Sequence, residues 1–282
     1  MNNLNGINRV NDRIAERPVL YAIASGKGGV GKSVIAFNLA HQLSQTHRVL
    51  LIDGDFQMGN QHLLVNVAPE YGWQAVCMGR VELTEAIRPI RPNLDLLAST
   101  GGRADEMVPD IKSLAASLGN LREQTAAYDF VIIDIASGIL THSNLILNAV
   151  DEVILVTTPE LTSISDCYAL YKILISNNRY LTASLLINRE GRAEEVEYIY
   201  QKFVTITDQF LGRSPLFLGS LGNDPVMVDA VARQQGVADF APESPILKQF
   251  STLADHLAGH QRSSGITPET INSKPLGADI KE

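Results

Sequence analysis

The sequence has few of the features that mark secreted, zinc-binding or membrane-spanning proteins. Only two of its 282 residues are cysteines, Cys77 and Cys167, and no C-x-x-C spacing occurs, which argues against a disulfide framework or a zinc site. The first seven residues contain no continuous apolar core of the kind found in signal peptides. No apolar run approaches the roughly 20 residues that cross a bilayer. We therefore expect a cytoplasmic protein, with at most a transient peripheral association with the membrane or a location at a cell pole.

An excess of basic residues is missing as well. The chain has 23 lysines and arginines against 31 acidic residues, which gives a net charge of −8. Such a charge opposes a broad electrostatic contact with nucleic acid, although a local basic patch remains compatible with it. With 45% hydrophobic residues, the chain has enough apolar side chains for one large core or two small ones.

Apolar runs of strand length alternate with helical patterns along the middle of the chain. Strands are predicted at residues 19–24, 48–53, 94–98, 129–134, 152–157, 183–188 and 216–219, and a helix at 110–127. Continuous apolar strands that are joined by helices form parallel sheets covered on both faces. The pattern predicts an α/β fold, a single domain with a mostly parallel sheet and helices on both faces.

The two ends of the chain differ from this middle. Residues 261–282 have no periodic apolar face and contain Pro268 and Pro275, which is typical of a disordered tail. In residues 1–17, apolar residues recur at helical spacing beside three arginines. Most short terminal segments of this kind are flexible, so we predict a flexible leader; a partner-binding helix is the alternative. The domain itself is predicted at residues 18–260.

A glycine-rich loop follows the first predicted strand. It reads Ser25-Gly26-Lys27-Gly28-Gly29-Val30-Gly31-Lys32-Ser33, and a helical pattern comes after it. A glycine-rich loop that follows a strand, ends in Lys-Ser and leads into a helix is typical of a phosphate-binding loop. An ordinary glycine-rich turn that caps a helix is a much weaker explanation. Backbone N–H groups and the helix N-terminus would bind the phosphates, Lys32 would reach the β- and γ-phosphates, and Ser33 would ligate Mg²⁺. The sequence predicts a protein that binds a nucleoside triphosphate.

A second lysine in the loop, Lys27, makes residues 26–33 resemble the deviant Walker A motif of the MinD/ParA ATPases. The resemblance extends over roughly residues 18–258. It implies ATP and Mg²⁺ as cofactors, slow hydrolysis to ADP and phosphate, and an ATP-dependent homodimer in which Lys27 reaches the partner's nucleotide. The alternative for Lys27 is a solvated loop charge.

Three aspartates at predicted strand ends complete the expected site. Two carboxylates that face a phosphate loop can hold Mg²⁺ through water and orient an attacking water. Resemblance to the family's D-x-D element assigns Asp53 to the magnesium and Asp55 to the attacking water. Asp134 ends four apolar residues in the form of a Walker B strand, so it is predicted beside the magnesium.

Asn188 and Arg189 end another predicted strand. In the MinD/ParA family such a pair contacts the adenine, and an asparagine offers the donor and the acceptor that the N6/N7 edge requires. A simple strand-end turn is the alternative.

Residues 134–139 and 151–170 are similar to the FlhG/FleN regulators of flagellar number, which carry a T-x-P-E-x-T-S-I-x-D-x-Y-A-L stretch. The resemblance implies a switch that positions or counts a cellular structure, with a flagellar GTPase, a transcription regulator or another protein as partner. The chain departs from that branch in four ways. Residues 53–60 differ from D-A-D-L-G-L-A-N, Gly222 stands where relatives commonly have proline, and neither the Asp-Gln-Ala motif nor a basic C-terminal helix is found. Two other functions stay open: a ParA-like DNA-partition ATPase, and a nucleotide-sensing module with little hydrolysis.

Overall fold

Runs of apolar residues form the strands at the centre of the molecule. The structure, a computed structural model, describes residues 17–100, 107–138 and 140–263. Its strands are β1 (Val19–Ala24), β2 (Val49–Gly54), β3 (Ile87–Arg91), β4 (Leu94–Leu97), β5 (Phe130–Ile135), β6 (Glu152–Thr157), β7 (Thr182–Glu190) and β8 (Leu216–Gly222). Every residue of β2, β5 and β6 is buried, because helices cover both faces of the sheet.

The strands form one eight-stranded sheet in the order β3-β4-β2-β5-β1-β6-β7-β8. All neighbours pair in parallel except β3, which pairs antiparallel with β4. Every predicted strand is present; two have the predicted ends, and the others differ by at most three residues at an end. β3 was not predicted. The parallel strands place their carboxyl ends at one edge of the sheet, where sites in this class of fold occur.

Helices connect the strands and divide the core into two layers. They are α1 (Lys32–Leu43), α2 (Gln61–Leu64), α3 (Trp73–Cys77), α4 (Leu83–Ala86), α5 (Ile111–Gln124), α6 (Thr141–Ala149), α7 (Leu161–Asn177), α8 (Ala193–Leu211), α9 (Pro225–Ala232), α10 (Val237–Phe240) and α11 (Pro245–Ser263). Buried side chains of α3 to α8 pack on one face of the sheet. Those of α1, α9, α10 and α11 pack on the other.

The predicted ends of the chain fall largely outside the described residues. Arg17 is the one described residue of the predicted leader, and its guanidinium lies 3.6 Å from Asp151. α11 continues to Ser263 and so overlaps the first three residues of the predicted tail; the rest of the tail lies outside the described residues. The domain boundaries stay a prediction. In the described ranges no helix is both long and apolar enough to cross a membrane.

Candidate nucleotide-binding site

The glycine-rich loop connects β1 to α1, and its backbone is exposed to solvent at Gly28 and Gly29. Gly29 and Gly31 have φ of 77° and 99°, in the left-handed region that glycine adopts without strain. A Cβ at Gly29 would meet no heavy atom of the described residues within 4 Å. Gly31 is the N-cap of α1 and has no side chain to cap the helix. The first N–H groups of α1 therefore remain available to an anion, which the helix dipole also favours.

Lys32, at the start of α1, is buried and its Nζ donates a hydrogen bond to Ser137 Oγ over 2.6 Å. Burial lowers the pKa of Lys32, while the nearby carboxylates of Asp134 and Asp55 oppose the shift. The loop after β5 is tied to the phosphate loop by a second contact, in which Gly138 N donates to Ser25 O over 3.0 Å. The structure thus places this lysine among the groups that the sequence predicts around the phosphates.

Asp53 and Asp134 lie side by side at the ends of β2 and β5, where they are register partners. Both are buried. Burial and then the Asp134 charge raise the pKa of Asp53 to about 8, and burial raises that of Asp134 against the opposing effects of Ser33, Gln61 and Lys32. Two adjacent buried carboxylates repel each other as anions, and a cation bound beside them would offset this cost.

The donor set fits Mg²⁺. Asp134 Oδ1 is buried and has no hydrogen-bond partner among the described residues, and Ser33 is close enough to lower the pKa of this carboxyl. No cluster of three or more His, Cys, Asp or Glu ligands exists within the described ranges. Mg²⁺ is commonly held by one or two carboxylates together with water and phosphate oxygens. Ser33, Asp53 and Asp134 would hold the ion, which would balance the charge of the bound phosphates.

Gln61, which the sequence did not single out, connects these groups. It is fully buried at the first position of α2. Its backbone N donates to Asp53 Oδ2 over 3.0 Å. Its Nε2 donates to Asp134 Oδ2 and to Ser33 O, each over 2.9 Å. A polar residue after an Asn in an irregular loop gives no sequence signal for such long-range contacts.

Asp55 lies next to this cluster, on the turn that follows β2. Its Oδ1 accepts hydrogen bonds from Gln57 N at 3.2 Å and from Met58 N at 2.9 Å. Its charge also acts on Lys32, Asp53 and Asp134. The carboxylate therefore borders the predicted phosphate position and at the same time shapes its own turn.

Lys27 extends from the phosphate loop to the start of α7. Its Nζ contacts Glu160 Oε2 at 2.6 Å and Thr162 Oγ1 at 3.0 Å, and the pair with Glu160 is solvent-exposed. The hydrogen bond and the charge of Lys27 lower the pKa of Glu160. In the isolated chain Lys27 is thus an exposed loop charge with an ion-pair partner, and its reach to a second nucleotide stays a prediction.

Asn188, at the end of β7, is buried and its Nδ2 donates to Val30 O over 2.7 Å. The asparagine thus holds the phosphate loop against β7. Arg189 is exposed with φ of 60°, and its charge helps to lower the pKa of Glu160. Their contact with adenine stays a prediction. An open cavity of about 460 Å³ begins at the following residue of the chain and is lined by Glu190, Gly191, Arg192, Gly222, Asn223, Asp224, Pro225, Pro245, Ile246 and Gln249.

Comparisons with known proteins identify the family of the chain. The sequence model of the CobQ/CobB/MinD/ParA nucleotide binding domain matches residues 21–235. The antiactivator FleN of Pseudomonas aeruginosa is 28% identical over 234 residues, which are 83% of this chain and 84% of that protein. The flagellum site-determining protein YlxH of Helicobacter pylori is 29% identical over 242 residues, which are 84% of this chain and 80% of that protein.

A solved structure supports the same conclusion. The septum site-determining protein MinD of Pyrococcus horikoshii, complexed with Mg-ADP, has a TM-score of 0.74 to this chain at 27% identity and covers 86% of this chain and 98% of its own. The predicted fold class and the resemblance to the MinD/ParA family and its flagellar-number branch are confirmed. The roles of the individual site residues stay predictions. The chain belongs to the CobQ/CobB/MinD/ParA nucleotide-binding domain family.

Proposed function

We propose that this chain is an ATPase that dimerises when it binds ATP with Mg²⁺ and that controls the number or placement of flagella. The observation that carries the proposal is the phosphate loop with two lysines beside a pair of buried carboxylates. Lys32 serves its own nucleotide, and Lys27 is long enough and exposed enough to reach a second one.

The residues divide the work of hydrolysis among them. The amides of residues 26–33 and Lys32 bind the phosphates, and Ser33, Asp53 and Asp134 hold the magnesium. Asp55 orients the attacking water, and its place next to Lys32 and Asp134 supports this role. The cavity that begins at the residue after Arg189 takes the base, since it lies where β7 and β8 end.

The flagellar role rests on the relatives. FleN is named an antiactivator and YlxH a flagellum site-determining protein. An ATP-dependent dimer has a composite surface that the monomer lacks. A protein partner that binds only this surface would act according to nucleotide state, and a flagellar GTPase or a transcription regulator fits such a partner.

Light scattering of the full chain tests the dimer. The Asp55→Ala variant with saturating Mg-ATP should be a stable dimer, because ATP binds and is not hydrolysed. The Lys32→Ala variant should lose nucleotide and remain a monomer. A monomeric Asp55→Ala protein with bound ATP would overturn the proposed switch.

Flagellum counts test the cellular role. Cells of the source organism that lack this chain should have an altered number or position of flagella by electron microscopy. Wild-type protein should restore the normal pattern, and the Lys32→Ala variant should not. Unchanged flagella in the deletion strain would remove the flagellar role and leave the ATPase untouched.

A further inference from the structure

Gln61 is the most connected polar side chain of the site that the predicted chemistry does not use. It is fully buried, at the point where the chain turns from the Asp55 loop into α2. Its backbone contacts Asp53 and its side chain contacts Asp134 and the Ser33 carbonyl. One residue thus touches three residues that the proposed function places around the magnesium.

The orientation of its amide is set by these partners. Asp134 Oδ2 and Ser33 O are both hydrogen-bond acceptors, so the NH₂ group must face them and the carbonyl oxygen must face away. That oxygen, Oε1, is buried and has no hydrogen-bond partner among the described residues. Asp134 Oδ1 is in the same condition. A buried acceptor without a donor is costly, by about 1–3 kcal/mol.

Gln61 Oε1 and Asp134 Oδ1 both require a hydrogen-bond donor. The waters on a bound Mg²⁺ are such donors, because Mg²⁺ gives up its water reluctantly and orients the hydrogens outward. We propose that Gln61 is a positioning residue of the magnesium site: its Nε2 fixes Oδ2 of the Asp134 carboxylate, which leaves the unpartnered Oδ1 of that carboxylate for the metal or its waters. The inference rests on the proposed function, since it takes the metal to be bound beside Asp53 and Asp134.

A purely structural role is the competing explanation. In that case Gln61 only ties α2 to the phosphate loop through Ser33 O, and its removal would weaken folding and nucleotide binding whether or not metal is present. A positioning role affects the metal specifically. Groups that orient metal ligands typically account for about 10- to 100-fold in metal affinity.

The test measures metal and nucleotide separately on the full chain. Mn²⁺ affinity of the ADP complex is measured by electron paramagnetic resonance, and ADP affinity in excess EDTA by a fluorescent ADP analogue. Gln61→Leu, which keeps the volume and removes both polar groups, should lower Mn²⁺ affinity by about 10-fold or more. Its ADP affinity in EDTA should stay within about twofold of wild type.

Gln74→Leu is the matched control. Gln74 is also a buried glutamine, but its side chain bonds to Ser99 Oγ, Phe56 O and Thr100 N instead of to the carboxylates. This variant should bind Mn²⁺ as the wild type does. If Gln61→Leu does not fold, Gln61→Asn keeps an amide that is one carbon too short, and it should show a smaller loss of the same kind.

Each outcome has one meaning. Equal Mn²⁺ affinities of the Gln61 and Gln74 variants would overturn the positioning role. A Gln61→Leu variant whose ADP affinity in EDTA falls as much as its Mn²⁺ affinity would overturn it as well. A wild-type chain that binds no ADP at all would instead refute the proposed function.

Discussion

At the scale of single residues, two glycines of the phosphate loop meet different surroundings. A Cβ at Gly26 would lie 2.1 Å from the Asp166 carbonyl oxygen, whereas one at Gly28 would have only Ser137 Oγ nearby, at 3.9 Å. Gly26→Ala should therefore destabilise the fold by about 1–3 kcal/mol, because backbone must move. Gly28→Ala should leave the free energy of unfolding within about 0.5 kcal/mol of wild type.

Nucleotide binding completes this comparison. The methyl group of Gly28→Ala would project from the exposed side of the loop, where the phosphates are proposed to bind, so its ATP affinity should fall although the protein remains stable. Urea denaturation and titration with a fluorescent ATP analogue measure the two effects. Normal ATP affinity for Gly28→Ala would place the phosphates elsewhere.

Lys27 offers a test of switching apart from binding. Lys32 and the loop amides remain in a Lys27→Ala variant, so ATP affinity should fall modestly. Dimerisation and hydrolysis should fall steeply, because a cation supplied to a partner's phosphates is worth about 10³-fold or more in rate in comparable enzymes. Single-turnover hydrolysis and light scattering measure the two losses.

Glu160→Gln is the control for this prediction. It removes the charged partner of Lys27 in the isolated chain and leaves Thr162 and the lysine itself, so ATP-dependent dimerisation should persist. Exposed ion pairs contribute little to stability, and phosphates can compete for the lysine. Wild-type turnover in Lys27→Ala would place this lysine outside the site of the partner.

The sequence predicted much of the site because strand ends meet at one edge of a parallel sheet. Asp53 and Asp134 are 81 residues apart, yet each ends an apolar run, and their strands pair directly. The contacts of Gln61, Glu160 and Ser137 could not be predicted in this way. Each depends on how an irregular loop folds back toward the phosphate loop, and no periodicity records that.

At the scale of elements, the strand that was missed shows the limit of hydrophobic patterns. β3 reads Ile-Arg-Pro-Ile-Arg, with no run or strict alternation of apolar residues, and its register shifts after Pro89. Proline is tolerated there because β3 is an edge strand with one unpaired side. The buried inner strands were all predicted, since burial on both faces demands continuous apolar sequence.

α1, α10 and β3 meet at a histidine that should make stability depend on pH. His41 is buried and stacks on Phe37, its Nε2 lies 3.7 Å from Asp239 Oδ1, and Asp239 also pairs with Arg91. Burial lowers the pKa of His41; Asp239 opposes the shift and Arg91 adds to it. The unfolded chain therefore takes up this proton more readily than the folded one.

Stability from this group should be complete above the unfolded pKa of about 6.5 and be lost as the pH falls toward the lower folded pKa. His41→Gln should lessen the loss of stability between pH 7.5 and pH 5. Urea midpoints at both pH values measure this, and the difference at pH 7.5 corrects for altered packing. An unchanged pH dependence in the variant would show that His41 does not contribute.

At the scale of the whole molecule, the sheet order explains why the site lies where it does. β1 stands between β5 and β6, and β2 lies beyond β5. The phosphate loop after β1 is thus flanked by the carboxyl ends of β5 and β2 on one side and by the start of α7 on the other. Lys27 points to that α7 side, while Lys32 points to the β5 side. The two lysines point in different directions. This suits the proposed function, in which Lys32 binds the chain's own nucleotide and Lys27 leaves Glu160 for the nucleotide of a second subunit.

The same arrangement makes a prediction about membranes. α11 carries an apolar stripe, but its residues Ile246, Phe250, Leu253 and Leu257 are at most 2% exposed because they pack on the sheet. An interfacial helix needs an exposed apolar face or a strongly basic one, and stable anchoring usually needs two such signals. With this stripe occupied, α11 cannot bind a bilayer unless it leaves the core. We therefore expect little binding to anionic liposomes, with or without ATP.

Co-sedimentation with anionic liposomes measures this binding, and two deletions assign any binding that occurs. The Asp55→Ala variant keeps the ATP state populated during the experiment. Deleting residues 1–17 removes the arginine-containing leader, and deleting residues 264–282 removes most of the predicted tail, while both leave every helix that packs on the sheet intact. ATP-dependent pelleting that survives both deletions would mean that α11 or another packed element detaches when the dimer forms, and the expectation would then be wrong. Pelleting that disappears with residues 1–17 would instead assign the leader as the contact, since its arginines would meet the anionic lipid directly.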